Sequence, residues 1–345
     1  MRAHARGSGL GLTRLRAPRV VAALAWLCAA VCLLSHGAAL RAAVPSAQAI
    51  TIQWGRLSTP LSAQHINTHL PVRRFHVVTS NMPALPMQRA ITLAPHITEL
   101  IYAAGAGQSI VATVNSSDYP PEASQLPRIG DGLHVSLEKA LLLAPDVVIG
   151  WQEGGAAQVL MPHLQEARIP LLFSQPQSLD EIAGELQRFG RLFGTSDTAD
   201  RMAAQLRARL DDLRQHYSQR SPVRVFVQIG DPPLYTVGND ALLHDALQIC
   251  GAVNIYADAQ LPALQVGREH VIMQQPELII APVTDAKRLE EIRQNWSRLN
   301  IKAAQAGHVH GLHPDLLFRP GPRLIDGVTA VCRIVDEVRK SRKAG

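Results

Sequence analysis

Between residues 89 and 340 the chain alternates two kinds of apolar pattern. Ala90–Leu93, Ile110–Val114, Val147–Trp151, Pro170–Phe173, Val223–Ile229 and Leu278–Ala281 are short apolar runs with little polar alternation. Such runs predict strands buried on both faces, as in a parallel sheet. Ile97–Ala104, Leu137–Leu143, Val159–Glu166, Leu179–Leu192, Ala241–Ile249, Val271–Gln274 and Ile325–Lys340 instead predict helices. Gly105 closes the first helix, and Ser117–Pro121 is a turn. Strands alternating with helices imply βαβ units, so the predicted fold class is α/β with parallel sheets.

The longest helical pattern, residues 195–220, divides this alternation. Ala199, Met202, Ala203, Leu206, Leu210, Leu213 and Tyr217 form one apolar stripe, and no Gly or Pro interrupts it. Thr195 and Ser196 are candidate caps, Asp197 and Asp200 suit the positive end of the helix, and Pro222 stops it. On either side of this helix the sequence repeats itself. SLEKALLLAPDVVIG at 136–150 matches GREHVIMQQPELIIA at 267–281, aligning Glu138 with Glu269, Pro145 with Pro276 and Asp146 with Glu277 at a constant offset of 131. A helix–Pro–acid–strand connection is common in α/β proteins, but the constant offset points to a duplicated unit with Glu138 and Glu269 at equivalent surface positions. The predicted organisation is two Rossmann-like α/β lobes, residues 89–194 and 221–345, bridged by the 195–220 helix.

Charge changes the picture at the N-terminus. The chain of 345 residues carries a formal net charge of +6, yet Arg2, Arg6, Arg14, Arg16 and Arg19 fall in residues 1–39, which hold no acid. Without them 29 basic residues face 28 acidic ones, so the nearly neutral body gives no support to nucleic-acid binding. The arginines lead into the uncharged run Val20–Leu34, followed by Gly37, Ala38 and Ala39. That layout predicts a signal peptide over residues 1–39 and export from the cytoplasm; an uncleaved membrane anchor is the alternative. Residues 40–88, rich in Pro, Ser, Thr and Gln, are read as a linker or N-terminal extension. Two cysteines fall in the exported part, Cys250 and Cys332, and an oxidising compartment favours a disulfide between them over two buried thiols.

Signatures of catalysis are lacking: there is no Gly-x-Ser-x-Gly elbow, phosphate-cradling Gly loop or His-Glu-x-x-His. His308, His310 and His313 are the best metal candidate, since alternate residues of a strand share a face, but no third firm ligand is fixed nearby, so no metal is assigned. Asp315, Arg319 and Arg323 occupy a rigid Pro/Gly-rich loop, which would hold guanidiniums ready for carboxylate, amide or phosphate oxygens. Trp151 and Tyr235 lie at strand-to-loop positions, where open parallel sheets bind ligands. Structural pairing and core packing are the competing roles for these residues.

Taken together, RAITLAPHITELIYAAGAG at 89–107, SDYPP at 117–121, SLEKALLLAPDVVIGW at 136–151, VRVFVQIGDPP at 223–233, ICGAVNIY at 249–256, QVGREHVI at 265–272 and PDLLFRPGPR at 314–323 carry a resemblance. The chain resembles the iron-siderophore, haem and vitamin B12 class of periplasmic substrate-binding proteins, and within it the cobalamin binders of ABC importers. The resemblance implies the class III fold, two α/β lobes bridged by one long helix with little hinge motion. It implies a monomeric, non-enzymatic protein without a catalytic cofactor, binding a cobalamin-like corrinoid in the interlobe cleft through Trp151, Tyr235, Asp315 and Arg319. It further implies that Glu138 and Glu269 dock onto the importer's permease, with its ATPase beyond, and that Cys250 pairs with Cys332. Cleft aromatics of the cobalamin binders are replaced here by Gly132 or Leu133, by Ala263 and by Ser116. A haem or iron-siderophore binder is the alternative within the class, and a metal-dependent enzyme built on the histidines the alternative outside it.

Overall fold

The computed structural model describes residues 85–344. The predicted signal peptide and nearly all of the 40–88 extension lie outside the described residues. Among the described residues no helix is long and apolar enough to cross a membrane.

The first half contains β1 (Ala90–Thr92), α1 (Pro95–Ala103), β2 (Ile110–Thr113), α2 (Leu137–Leu142), β3 (Val147–Gly150), α3 (Gly155–Glu166), β4 (Leu171–Phe173) and α4 (Leu179–Phe193). Its strands form one parallel sheet in the order β2-β1-β3-β4. The long helix α5 (Ser196–Tyr217) follows. The second half contains β5 (Val223–Gly230), β6 (Tyr235–Val237), α6 (Ala241–Ile249), β7 (Ala252–Asn254), β8 (Ala263–Gln265), α7 (Arg268–Gln274), β9 (Leu278–Pro282), α8 (Ala286–Ser297), α9 (Lys302–Gln305), β10 (Val309–Leu312), α10 (Pro314–Phe318) and α11 (Leu324–Ala344). Here the order is β10-β9-β5-β6-β8, with β7 beside the first residues of β5. This sheet departs from the parallel expectation at one edge. The chain turns at Asp231-Pro232-Pro233 straight back into β6, so β6 pairs antiparallel with β5 and with β8.

Both faces of each sheet are covered, which is why the strands read as apolar runs. Along β3, Val147 and Ile149 face one core and Val148 the other; along β5, Val225 and Val227 face the first core and Phe226 a third. The largest core is continuous from one sheet to the other. It takes in Ile97 and Leu100 of α1, Leu186 and Phe189 of α4, Leu206 and Leu210 of α5, Val225 of β5 and Val335 of α11. Helices α4 and α5 pack so closely that a Cβ on Gly190 would stand 2.4 Å from Ala199 Cβ, and Gly194 takes φ 74° where α4 ends. The expected Thr195 cap does not form. Its side chain makes no capping bond, and Oγ1 is buried without a partner among the described residues. At the other end α5 stops at Tyr217, ahead of Pro222, with the Ser218 amide and hydroxyl both donating to the Arg214 carbonyl.

The internal repeat extends to side-chain geometry. In the first half Arg89 donates to the Leu143 and Ala144 carbonyls, while the Asp146 carboxylate accepts from the Gln88 and Arg89 amides. In the second, Arg224 donates to the Gln274 carbonyl, and the Glu277 carboxylate accepts from the Arg224 amide. Ala144 (φ 42°) and Gln275 (φ 43°) both take the left-handed conformation before the shared Pro. The same clamp thus fixes the ends of α2 and α7. A disulfide joins Cys250, at the end of α6, to Cys332 in α11 across 82 residues.

Candidate functional site

The strand ends of the first sheet carry a built polar loop. Hydroxyls of Thr92, Thr98, Thr113 and Ser117 form a buried network at 2.6 to 3.1 Å, which holds the 117–121 turn onto β1, β2 and α1. Arg128 secures that turn by donating to the Val114 and Ser117 carbonyls at 2.9 and 2.8 Å. Its outer residues, Ser116, Asp118 and Tyr119, face arginines of the second half.

Arg319 and Arg323 follow α10 in a loop whose Gly321 lies over His96 and Glu99. Glu99 of α1 is almost wholly buried, its side chain 1% exposed. Arg323 grips it as a fork, Nε to Oε2 at 3.0 Å and Nη2 to Oε1 at 2.6 Å. Arg319 meets four groups: Glu99 Oε1 at 3.2 Å, Asp118 Oδ1 at 2.8 Å, the Ser116 carbonyl at 3.3 Å and Asp315 Oδ1 at 2.9 Å. The Arg323 guanidinium also stacks 3.9 Å from the Tyr119 ring centre. Burial works to raise the Asp118 carboxyl, but the hydrogen bond and charge of Arg319, helped by Arg323, hold it below its usual range. Burial likewise opposes the charged form of Arg323, and Glu99 outweighs it, so Arg323 is raised. Two cations therefore face three carboxylates, and both guanidiniums are already paired.

Beside this cluster His96 is buried, its ring edge-on to Trp151 at 5.6 Å between centres. Its Nε2 donates to the Ser174 carbonyl at 3.3 Å. Burial pushes the imidazole down to about 4, and the charge of Arg319 adds to this. The Ser174 hydroxyl donates in turn to Glu185 Oε2 at 2.9 Å, and Arg188 pairs with the same carboxylate. Burial nevertheless pushes Glu185 up to about 6.

The structure thus brings Asp315 and Arg319 together and sets Trp151, half-buried, against His96 next to them. Tyr235 stands apart in β6, opposite Gln265 of β8 and near Asp231, which pairs with Arg268. Sequence reasoning did not single out Glu99, His96, Asp118 or Tyr119. Of the residues that replace cleft aromatics, Ser116 offers its carbonyl to Arg319, Gly132 accepts from the Ala156 amide, and Ala263 pairs with Val237. His313 is engaged apart from His308 and His310, whose rings lie parallel to each other. His308 bonds the Ser341 hydroxyl at 2.9 Å, His310 stacks on His308, and His313 Nδ1 accepts from the Asp315 amide at the start of α10. Among the described residues no group of three His, Cys, Asp or Glu could hold a metal ion.

Glu138 and Glu269 lie in the first turns of α2 and α7, both exposed, and neither has an ion-pair partner among the described residues. Residues 91–316 match the family model described as periplasmic binding protein. A vitamin B12-binding protein of Vibrio cholerae is 34% identical over 255 residues, 74% of this chain and 91% of that protein. The chain belongs to the periplasmic binding protein family. Its fold is that of the family's class III members, two α/β lobes bridged by one long helix, and as a periplasmic binding protein it is a transport component and not an enzyme. The crystal structure of the periplasmic vitamin B12 binding protein BtuF of Vibrio cholerae matches with a TM-score of 0.68 at 33% identity, over 74% of this chain and 99% of that one. The periplasmic heme-binding protein RhuT from Roseiflexus sp. RS-1 in apo form matches with a TM-score of 0.63 at 25% identity, over 73% and 99%.

Proposed function

We propose that this chain is exported by the signal peptide at 1–39 and works in the periplasm as a monomer. It captures a cobalamin-like corrinoid between the lobes at 89–194 and 221–345 and delivers it to the permease and ATPase of an ABC importer. The observation that carries this reading is the 34% identity to a vitamin B12-binding protein over 91% of that protein's length. Trp151, Tyr235, Asp315 and Arg319 contact the ligand, and Glu138 and Glu269 dock on the permease, where exposed charges steer encounter more than they supply affinity.

The chemistry of the cluster supports the same ligand class. A haem or an anionic siderophore brings carboxylates or other negative groups that need unpaired cations. Here Arg319 and Arg323 are already matched by Glu99, Asp118 and Asp315. A corrinoid is fringed with neutral amides, which can bond the remaining carboxylate and guanidinium edges without displacing a partner. Haem remains the second reading because of the Roseiflexus relative.

Calorimetry of the purified protein against cyanocobalamin, cobinamide and haem tests the ligand. Submicromolar binding of the corrinoids with none of haem is expected. Haem binding without corrinoid binding would overturn the ligand and leave the transport class standing.

A further inference from the structure

We propose that Leu142 and Met273 are paired apolar anchors that seat in a membrane permease built of two like halves. Each anchor stands one helical turn beyond the docking glutamate of its own lobe, and the proposal rests on that docking reading. Leu142 is 77% exposed and Met273 73% exposed, while the next most exposed large apolar side chain among the described residues, Val159, stands at 49%. A single exposed leucine means little. These two, however, occupy the same position of the internal repeat, as do Glu138 and Glu269.

The apolar side chain stands at position i+4 from the glutamate in each copy, so both lie on one face of α2 and of α7. The ends of both helices are fixed by the same arginine–carboxylate clamp, which presents the two faces alike. Between glutamate and anchor, Ala140 and Val271 turn inward and are buried, so each helix is seated on its lobe by one face and offers the other. Among the described residues, none of the three buried core clusters takes in Leu142 or Met273. Two equal glutamate-plus-apolar faces fit a partner with two equal seats, each a basic residue with an apolar hollow one turn away.

The test measures docking of the whole mature protein on the permease–ATPase complex of the same cell, held in nanodiscs, at low and high salt. Corrinoid affinity is the control for folding. The Leu142→Ser, Met273→Ser double variant should lose docking affinity on the order of 100-fold while keeping the salt dependence. The Leu142→Met, Met273→Leu pair should retain it. The Glu138→Gln, Glu269→Gln pair should lose both affinity and salt dependence. Wild-type docking by the serine variant, with loss in the glutamine variant, overturns the anchors and leaves glutamate docking intact. Wild-type docking by both variants overturns the docking reading and the anchors with it. Loss in the serine variant alone overturns glutamate docking, and with it the paired glutamate-plus-apolar seat.

Discussion

Replacing Glu99 by Gln keeps its shape and removes one charge from the buried centre that joins the two lobes. The carboxylate, 1% exposed, takes three bonds from two guanidiniums whose side chains are 14% and 20% exposed. Arg319 would keep Asp118 at 2.8 Å and Asp315 at 2.9 Å, so it is not orphaned. Arg323 would keep only Asp315 at 3.6 Å and the Tyr119 ring, and the new amide would point a donor at a donor. Truncating one partner of a buried pair costs about 3–5 kcal/mol; with Arg319 still compensated, the lower end applies, about 3 kcal/mol. Urea unfolding followed by circular dichroism reads this as a lower midpoint at unchanged slope. In a double-mutant cycle with Arg323→Gln, the coupling should be at least about 1.5 kcal/mol. A loss below about 1 kcal/mol, or additive single variants, would refute the view that this cluster straps the lobes together.

Two further perturbations follow from the same interior. His96 has its pKa lowered from 6.5 to about 4, so the folded state binds fewer protons and stability is lost as pH falls from 6.5 through 4. Glu185, raised from 4.5 to about 6, acts in the opposite sense: stability is gained as pH falls through 6 toward 4.5. Wild type should therefore lose about 2 kcal/mol more than His96→Phe between about pH 6.5 and about pH 4.5, measured by urea melts at each pH; parallel curves would refute the burial of a neutral imidazole. Replacing Cys250 and Cys332 together by Ala releases an 82-residue loop and should cost about 4 kcal/mol, read in the same melts.

The parts of the fold legible in the sequence are those whose residues carry their own signal. Strands covered on both faces, such as Val147–Gly150 and Leu278–Pro282, are apolar throughout and announce themselves. Helix α8 gives no clear period, because in AKRLEEIRQNWS only Ile292 and Trp296 are fully buried, with Arg288 and Leu289 half-buried and the rest exposed. Strands β6 and β8 are three residues each and form an antiparallel edge, too short for a period to register. At the site, Asp315 and Arg319 stood four positions apart in one Pro/Gly-rich stretch and could be read together, although Asp315 belongs to α10 and only the arginines to the loop after it, because Pro314 starts a short helix there. Glu99 lies 220 residues from Arg319 and reads locally as one more polar residue of an amphipathic helix. The Arg89 and Arg224 clamps escaped the repeat because they precede it and are 135 residues apart instead of 131.

The core that passes unbroken through α4 and α5 bears on how cargo leaves. A flexible connector would let the halves swing, and the grip could slacken by thermal motion alone. Here packed side chains run from one half to the other through α4 and α5, so spreading the halves would break core contacts, as forcing a riveted caliper would. On the proposed function, such a caliper would select its cargo by thickness and would release it slowly unaided. Unloading would then draw on work from outside, applied to both halves at once, and the proposed permease and ATPase are the kind of partner able to supply it.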